Sequence, residues 1–203
     1  MVIDRLTYEL SENNYHQKEF DKKQIVIGNT FNQKLYHFNG WLSRKDGNFT
    51  NTANYTITTK GDIYEHFNPK NYSDFINQKR CDKKIISILL ENRGWLKKDL
   101  LTNKYFDWVG NIYKRRVNVI EKRWRGQQYW DPYTPKQLKS TINLVKYLCD
   151  TYNIDKKCIS HNTYTKEVEE FNGVTYRSNY YKDNTDVNPS WNFKKFKLEI
   201  EKL

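Results

Sequence analysis

Hydrophobic residues in this chain gather in short dense runs set between long polar stretches. Residues 24 to 27 place three β-branched residues in succession and predict a short buried strand. Residues 84 to 91 are apolar at Ile85, Ile86, Ile88, Leu89 and Leu90. A run without alternation predicts a strand covered on both faces, hence one at the centre of a sheet. Residues 53 to 59 alternate Tyr55 and Ile57 with polar partners, and Gly61 turns the chain back into residues 62 to 67. That reads as a hairpin with Thr59-Lys60-Gly61-Asp62 at its tip. Thr134-Pro135 opens the clearest helix, a good N-cap followed by a residue suited to the first turn. Leu138, Ile142, Val145, Leu148, Cys149 and Tyr152 then mark one face, and Asn153 supplies a stop. Residues 157 to 160 return to the sheet as a short strand. Residues 191 to 203 close the chain as an amphipathic helix using Phe193, Phe196 and Ile200.

Two stretches lack a clean period. Residues 31 to 52, with Gly40 and Gly47, predict a long loop with one helical turn, and loops of that length tend to be functional. Residues 94 to 133 are aromatic and charged, and predict an irregular insertion with short helices near residues 107 to 114. Residues 1 to 22 read as a polar extension packed across the domain. The expected architecture is α/β: residues 23 to 203 form a central mixed β-sheet flanked by helices.

Composition changes this picture in three ways. Apolar content is only 37% of 203 residues, but aromatics at 16% bury large areas, so a folded single domain is expected. The net charge of +11 suits a polyanionic partner, and equally a solvated lysine-rich surface. Cys81, Cys149 and Cys158 lack metal-type spacing: Cys149 belongs to a core face, Cys81 reads as an exposed thiol, and a reducing compartment is the simplest setting. The first ten residues are charged from Asp4 onward and carry no apolar core of a signal peptide. No stretch is apolar enough to span a membrane.

Candidate chemistry lies where runs end. Gly28-Asn29-Thr30 follows the first strand, Glu91 the second, His161 the short strand after the long helix, and Asp186 sits in Asn184-Thr185-Asp186-Val187-Asn188-Pro189 before the last helix. Strand and loop ends are where α/β folds usually carry their sites. This order resembles the zinc-dependent type 2 N-acetylmuramoyl-L-alanine amidases, whose fold is shared with peptidoglycan recognition proteins. Ser87-Ile88-Leu89-Leu90-Glu91, Ala53-Asn54-Tyr55 with Lys60-Gly61, and Tyr133-Thr134-Pro135-Lys136-Gln137 extend the resemblance over residues 22 to 197.

The resemblance implies a peptidoglycan hydrolase that cleaves the amide between N-acetylmuramic acid and L-alanine with metal-activated water. It makes His161 and Asp186 zinc ligands, Glu91 the base, and Asn184 or Lys182 the donor to the oxyanion. Asn29, Tyr55 and Arg177 become groove contacts. The first zinc ligand falls on Gly28, which has no side chain to offer. His37 or His66 could supply a replacement nitrogen. A longer excursion than the family's, residues 164 to 183, separates His161 from Asp186. The alternative is a catalytically inactive amidase-like fold that binds peptidoglycan or serves in a phage virion. Blander readings stand beside these: His161 as a hydrogen-bonded structural residue, Glu91 as an ion-pair partner of Arg93 or Arg125, and Gly28 as a tight turn.

Lys114-Arg115-Arg116 and Lys122-Arg123-Trp124-Arg125 interleave basic and aromatic residues. They suit phosphate, anionic glycan or a stem-peptide carboxylate. Trp41, Trp124 and Trp130 are either sugar-stacking platforms or core. Nucleic acid rests on charge and aromatics alone and is not the expected partner. Bacterial peptidoglycan is, with other virion proteins second. The expected setting is a phage-encoded protein made in the host cytoplasm and acting at the cell wall or within the virion.

Overall fold

In the computed structural model, residues 1–115 and 118–202 are described. Among them the chain forms strands β1 (Gln24–Asn29), β2 (Tyr55–Ile57), β3 (Ile63–Glu65), β4 (Ile85–Leu90), β5 (Trp95–Lys98), β6 (Tyr105–Phe106), β7 (Ile120–Trp124), β8 (Gln127–Trp130) and β9 (Gly173–Tyr176). The α-helices are α1 (Tyr36–Ser43), α2 (Lys79–Asp82), α3 (Pro135–Tyr152), α4 (Arg177–Tyr180) and α5 (Phe193–Glu201).

The main sheet has the order β3-β2-β4-β1-β9, with the apolar β4 at its centre as expected. β1 runs parallel to both β4 and β9, β2 parallel to β4, and β2–β3 form an antiparallel hairpin. The sheet is mixed, and both faces are covered. On one face Ile25, Ile27, Ile86 and Ile88 pack with Leu144, Leu148, Phe196 and Ile200 of α3 and α5. On the other, Val26, Ile85 and Leu89 pack with Phe38 and Trp41 of α1 and with Phe75 and Ile76. Full coverage explains why β4 reads as an unbroken apolar run.

Helix α3 starts and stops where its caps dictate. The Thr134 side chain accepts from the Gln137 N–H, and Asn153 adopts the left-handed conformation (φ 52°) that ends it. Residues 1 to 22 run along the β3 edge: Asp4 bridges to Tyr64, and the Leu10 N–H donates to the His66 carbonyl at 2.8 Å.

Several expectations are corrected. Residues 94 to 133 are not irregular with short helices. Within them lies a second, antiparallel sheet of order β6-β5-β8-β7. Its strands keep most side chains half-exposed, so no clean alternation of burial marks them in the sequence. The turn from β7 to β8 uses Arg125 (φ 47°) and Gly126 (φ 75°) in the left-handed region. Residues 31 to 52 hold a true helix, α1. Residues 157 to 160 form only a single bridge, Cys158 to Val174. The outer strand on that side is β9, which lay inside the unassigned excursion. Cys81 is buried against the second face rather than exposed, and all three cysteines are free. Among the described residues no helix is long and apolar enough to cross a membrane.

Candidate active site

The parallel register sets the site. Gly28 pairs with Leu89, so Glu91 lies two residues beyond that partner on the neighbouring strand and on the same face. Strand geometry puts the two Cα atoms roughly 8 Å apart. Glu91 is only 8% exposed. Its Oε1 accepts from the Lys34 N–H at 2.7 Å and its Oε2 from the Thr59 N–H at 2.9 Å. Its carbonyl accepts from Gln137 Nε2 at 3.0 Å. The ion-pair reading is not what is seen: Arg93 pairs with Asp107 at 3.0 Å, and Arg125 donates to the Ser178 carbonyl at 3.1 Å. Glu91 opens into a cavity of about 430 Å³, whose wall includes Lys34, Thr59, Lys60, Arg93 and Arg115.

The second sheet is pinned to this end of β4. Asp131 accepts from the Arg93 N–H at 2.8 Å and the Tyr113 hydroxyl at 2.5 Å, and is ion-paired with Arg115. Asn92 and Asn188 both donate to the Asp131 carbonyl, at 2.9 and 3.1 Å. Nothing in the local sequence flags this network, because its members come from four separate segments.

Gly28 is an extended strand residue and not a tight turn. β9 pairs with β1 as far as Ile27 opposite Tyr176, so Arg177 falls next to Gly28. A Cβ on Gly28 would stand 3.0 Å from Asp186 Oδ2, 3.2 Å from Arg177 Cδ and 3.2 Å from Phe75 Cζ. These approaches are closer than ordinary van der Waals contact. Asp186 is fully buried, and neither carboxylate oxygen has a hydrogen-bond partner. Arg177 Nη1 lies 3.4 Å from Asp186 Oδ2, and its guanidinium rests over the Phe75 ring at 4.8 Å. Burial pushes the Asp186 carboxyl up to about 6, with Arg177 pulling the other way.

The remaining expected residues scatter. His161 sits in an exposed loop with Nδ1 2.8 Å from Thr163 Oγ1. Asn184 Oδ1 accepts from the Asp186 N–H at 2.7 Å, a local turn. Lys182 is exposed, with Nζ over the Tyr164 ring at 5.5 Å. Asn29 is buried; its Oδ1 accepts from the Tyr133 hydroxyl, and its Nδ2 has no partner. Tyr55, expected at the groove, is instead a core residue of the α3 face, and its hydroxyl donates to Glu65 at 2.9 Å.

His37 and His66 share one hydroxyl. Their Nε2 atoms lie 3.1 and 2.8 Å from Thr56 Oγ1, and His66 Nδ1 is 2.7 Å from the Tyr8 carbonyl. Burial lowers their pKa values to about 3 and about 4. Trp41 and Trp130 are core, and Trp124 stacks under Arg125 at 4.7 Å. Arg116 of the first basic cluster lies outside the described residues.

A catalytic zinc needs three protein ligands and an open position. Among the described residues, no group of three or more His, Cys, Asp or Glu side chains is placed to hold a metal ion. Gly28 offers no donor, and a guanidinium lies against Asp186 where a ligand from Gly28 would project. The residues present do not fit zinc.

No curated protein matches this chain. Solved structures do match in fold. The N-acetylmuramoyl-L-alanine amidase LysC from Clostridium intestinale URNW is 14% identical with a TM-score of 0.57, covering 98% of this chain and 97% of that one. The catalytic domain of XlyA is 14% identical with a TM-score of 0.55, covering 98% and 99%. A mutant endolysin from Bacillus subtilis is 14% identical with a TM-score of 0.54, again covering 98% and 99%. At such identities the likeness establishes the fold, a mixed sheet flanked by helices. The family pattern of N-acetylmuramoyl-L-alanine amidases matches residues 18–174, most of the chain. This chain therefore belongs to the type 2 N-acetylmuramoyl-L-alanine amidase family, the amide hydrolases of peptidoglycan.

Proposed function

We propose that this chain engages the amide between N-acetylmuramic acid and L-alanine in bacterial peptidoglycan, at the cleft beside Glu91. The observation that carries this reading is Glu91 itself, a carboxylate at the end of the central parallel strand that opens into a cavity with cationic walls. One accepted N–H on each oxygen leaves further lone pairs, so Glu91 has capacity to take a proton from a water set over the amide. Lys34, Lys60 and Arg115 suit the carboxylates of a stem peptide. Arg177 brings positive charge to the Gly28 side, where it would favour charge developing on the carbonyl oxygen. Asn184 and Lys182 are donors on the loop before Asp186, and Asn29, whose Nδ2 is buried and unpartnered, lies at the end of β1 beneath the cleft. No step is assigned to a metal.

The setting that fits is a phage-encoded protein acting at the cell wall or within a virion, among other virion proteins. A second reading, retention of peptidoglycan without cleavage, is favoured by one observation: Gly28 with Arg177 against Asp186.

Incubation with purified sacculi separates the two. Co-sedimentation reports binding, and new L-alanine amino groups report cleavage. Retention with new amino groups supports the amidase, and retention without them supports the binder. No retention overturns both.

A further inference from the structure

We propose that the Arg177 guanidinium takes the place of the family's metal ion, so that the positive charge facing Asp186 is built into the chain. The inference rests on the family assignment and on four observations. Gly28, where a ligand is expected, has no side chain, and a Cβ there would crowd Asp186 at 3.0 Å and Arg177 at 3.2 Å. Asp186 is fully buried, and neither oxygen has a donor in good hydrogen-bond geometry, so a nearby cation favours its charged form. Arg177 Nη1 is 3.4 Å away. The guanidinium also rests over the Phe75 ring at 4.8 Å.

The fold delivers this arginine by pairing. β9 lies beside β1, and the residue after its last paired position, Tyr176, is Arg177. A second arginine buttresses the first. Arg125, at the left-handed tip of the β7–β8 hairpin, donates to the carbonyl of Ser178, the neighbour of Arg177. Arg177 alone pairs with the buried carboxylate, while Arg125, from a separate segment, adds a weaker and more distant positive charge that also favours its ionised form. A divalent ion at Asp186 would meet like charge from both.

The test uses the full chain, expressed and purified without chelator, with zinc measured by elemental mass spectrometry and thermal unfolding recorded with and without added zinc. The wild type is expected to carry zinc far below one per chain and to show no zinc-dependent shift in Tm. Arg177→Gln is expected to lower Tm, and Arg177→Lys to recover most of that loss.

Stoichiometric, chelator-removable zinc in the wild type overturns the proposal. So does an unchanged Tm in Arg177→Gln. Both readouts are independent of peptidoglycan, so zinc in the wild type leaves the family reading standing, and failure to bind sacculi leaves this one standing.

Discussion

Gln137 of α3 holds Glu91 in register with its neighbour strand. Its Nε2 donates to the Glu91 carbonyl and to the Ile57 carbonyl, each at 3.0 Å, and the side chain is fully buried. A helix residue thus reinforces the ends of β2 and β4: the Ile57 carbonyl also accepts from the Glu91 N–H at 2.9 Å, whereas the Glu91 carbonyl takes its donor from Gln137. Gln137→Leu should cost about 1–3 kcal/mol of stability, because it leaves the buried Glu91 carbonyl without its donor. Urea unfolding measures this, and a loss near zero would mean that water replaces the amide.

The Glu91 carboxylate is the next target. Glu91→Gln retains its size but puts an amide NH₂ against the N–H of Lys34 or of Thr59. A modest stability loss of about 1 kcal/mol is expected. Removing the base should lower muropeptide turnover by about 10²- to 10⁴-fold. Turnover within a factor of a few of wild type would remove Glu91 from the chemistry.

Acid should destabilise the chain through His66 and His37. Their folded-state pKa values are lowered to about 4 and about 3, against an ordinary 6.5. Below pH 6.5 the unfolded chain takes up protons that the folded chain refuses, so the stability present above 6.5 is lost as pH falls toward 4. Each histidine adds a slope of about 1.4 kcal/mol per pH unit. Asp82 and Asp186 act oppositely: burial raises each to about 6, so they favour the folded state as pH falls from there toward 3.8. Isolating the histidine contribution therefore needs a difference. Between pH 6 and 5, His66→Gln should lose less stability than wild type by about 1.4 kcal/mol. Equal losses would mean that His66 is not buried neutral.

The second sheet depends on Gly94. It takes φ +75°, and a Cβ there would lie 2.5 Å from two atoms of the Phe31 ring. Gly94→Ala should destabilise by more than about 1 kcal/mol, from backbone strain and ring displacement together. Near-UV circular dichroism, sensitive to Trp95 and Trp130 on β5 and β8, should change along with the melting curve. An unchanged spectrum and Tm would show that the ring yields freely.

Much of this was legible in the chain because local rules and tertiary context agreed. Thr134, Pro135 and Asn153 bound α3, and the unbroken run at β4 follows from burial on both faces. The hairpin at Gly61 follows from alternation and turn chemistry. The second sheet was not legible, since strands such as Ile120–Trp124 keep their side chains half in water. β9 was hidden for another reason. Its partner β1 lies about 150 residues away in sequence, and only that pairing brings Arg177 beside Gly28. Gly28 signalled a missing ligand; what stands in the ligand's space is a matter of register between distant strands.

The most direct test is to incubate the purified chain with bacterial sacculi in the presence of a strong chelator, following co-sedimentation and the release of L-alanine amino groups. The account predicts that the chain is retained on the polymer, and that any amide cleavage proceeds at the same rate with chelator as without. Failure to sediment with sacculi, or cleavage that chelator abolishes and zinc restores, would contradict it.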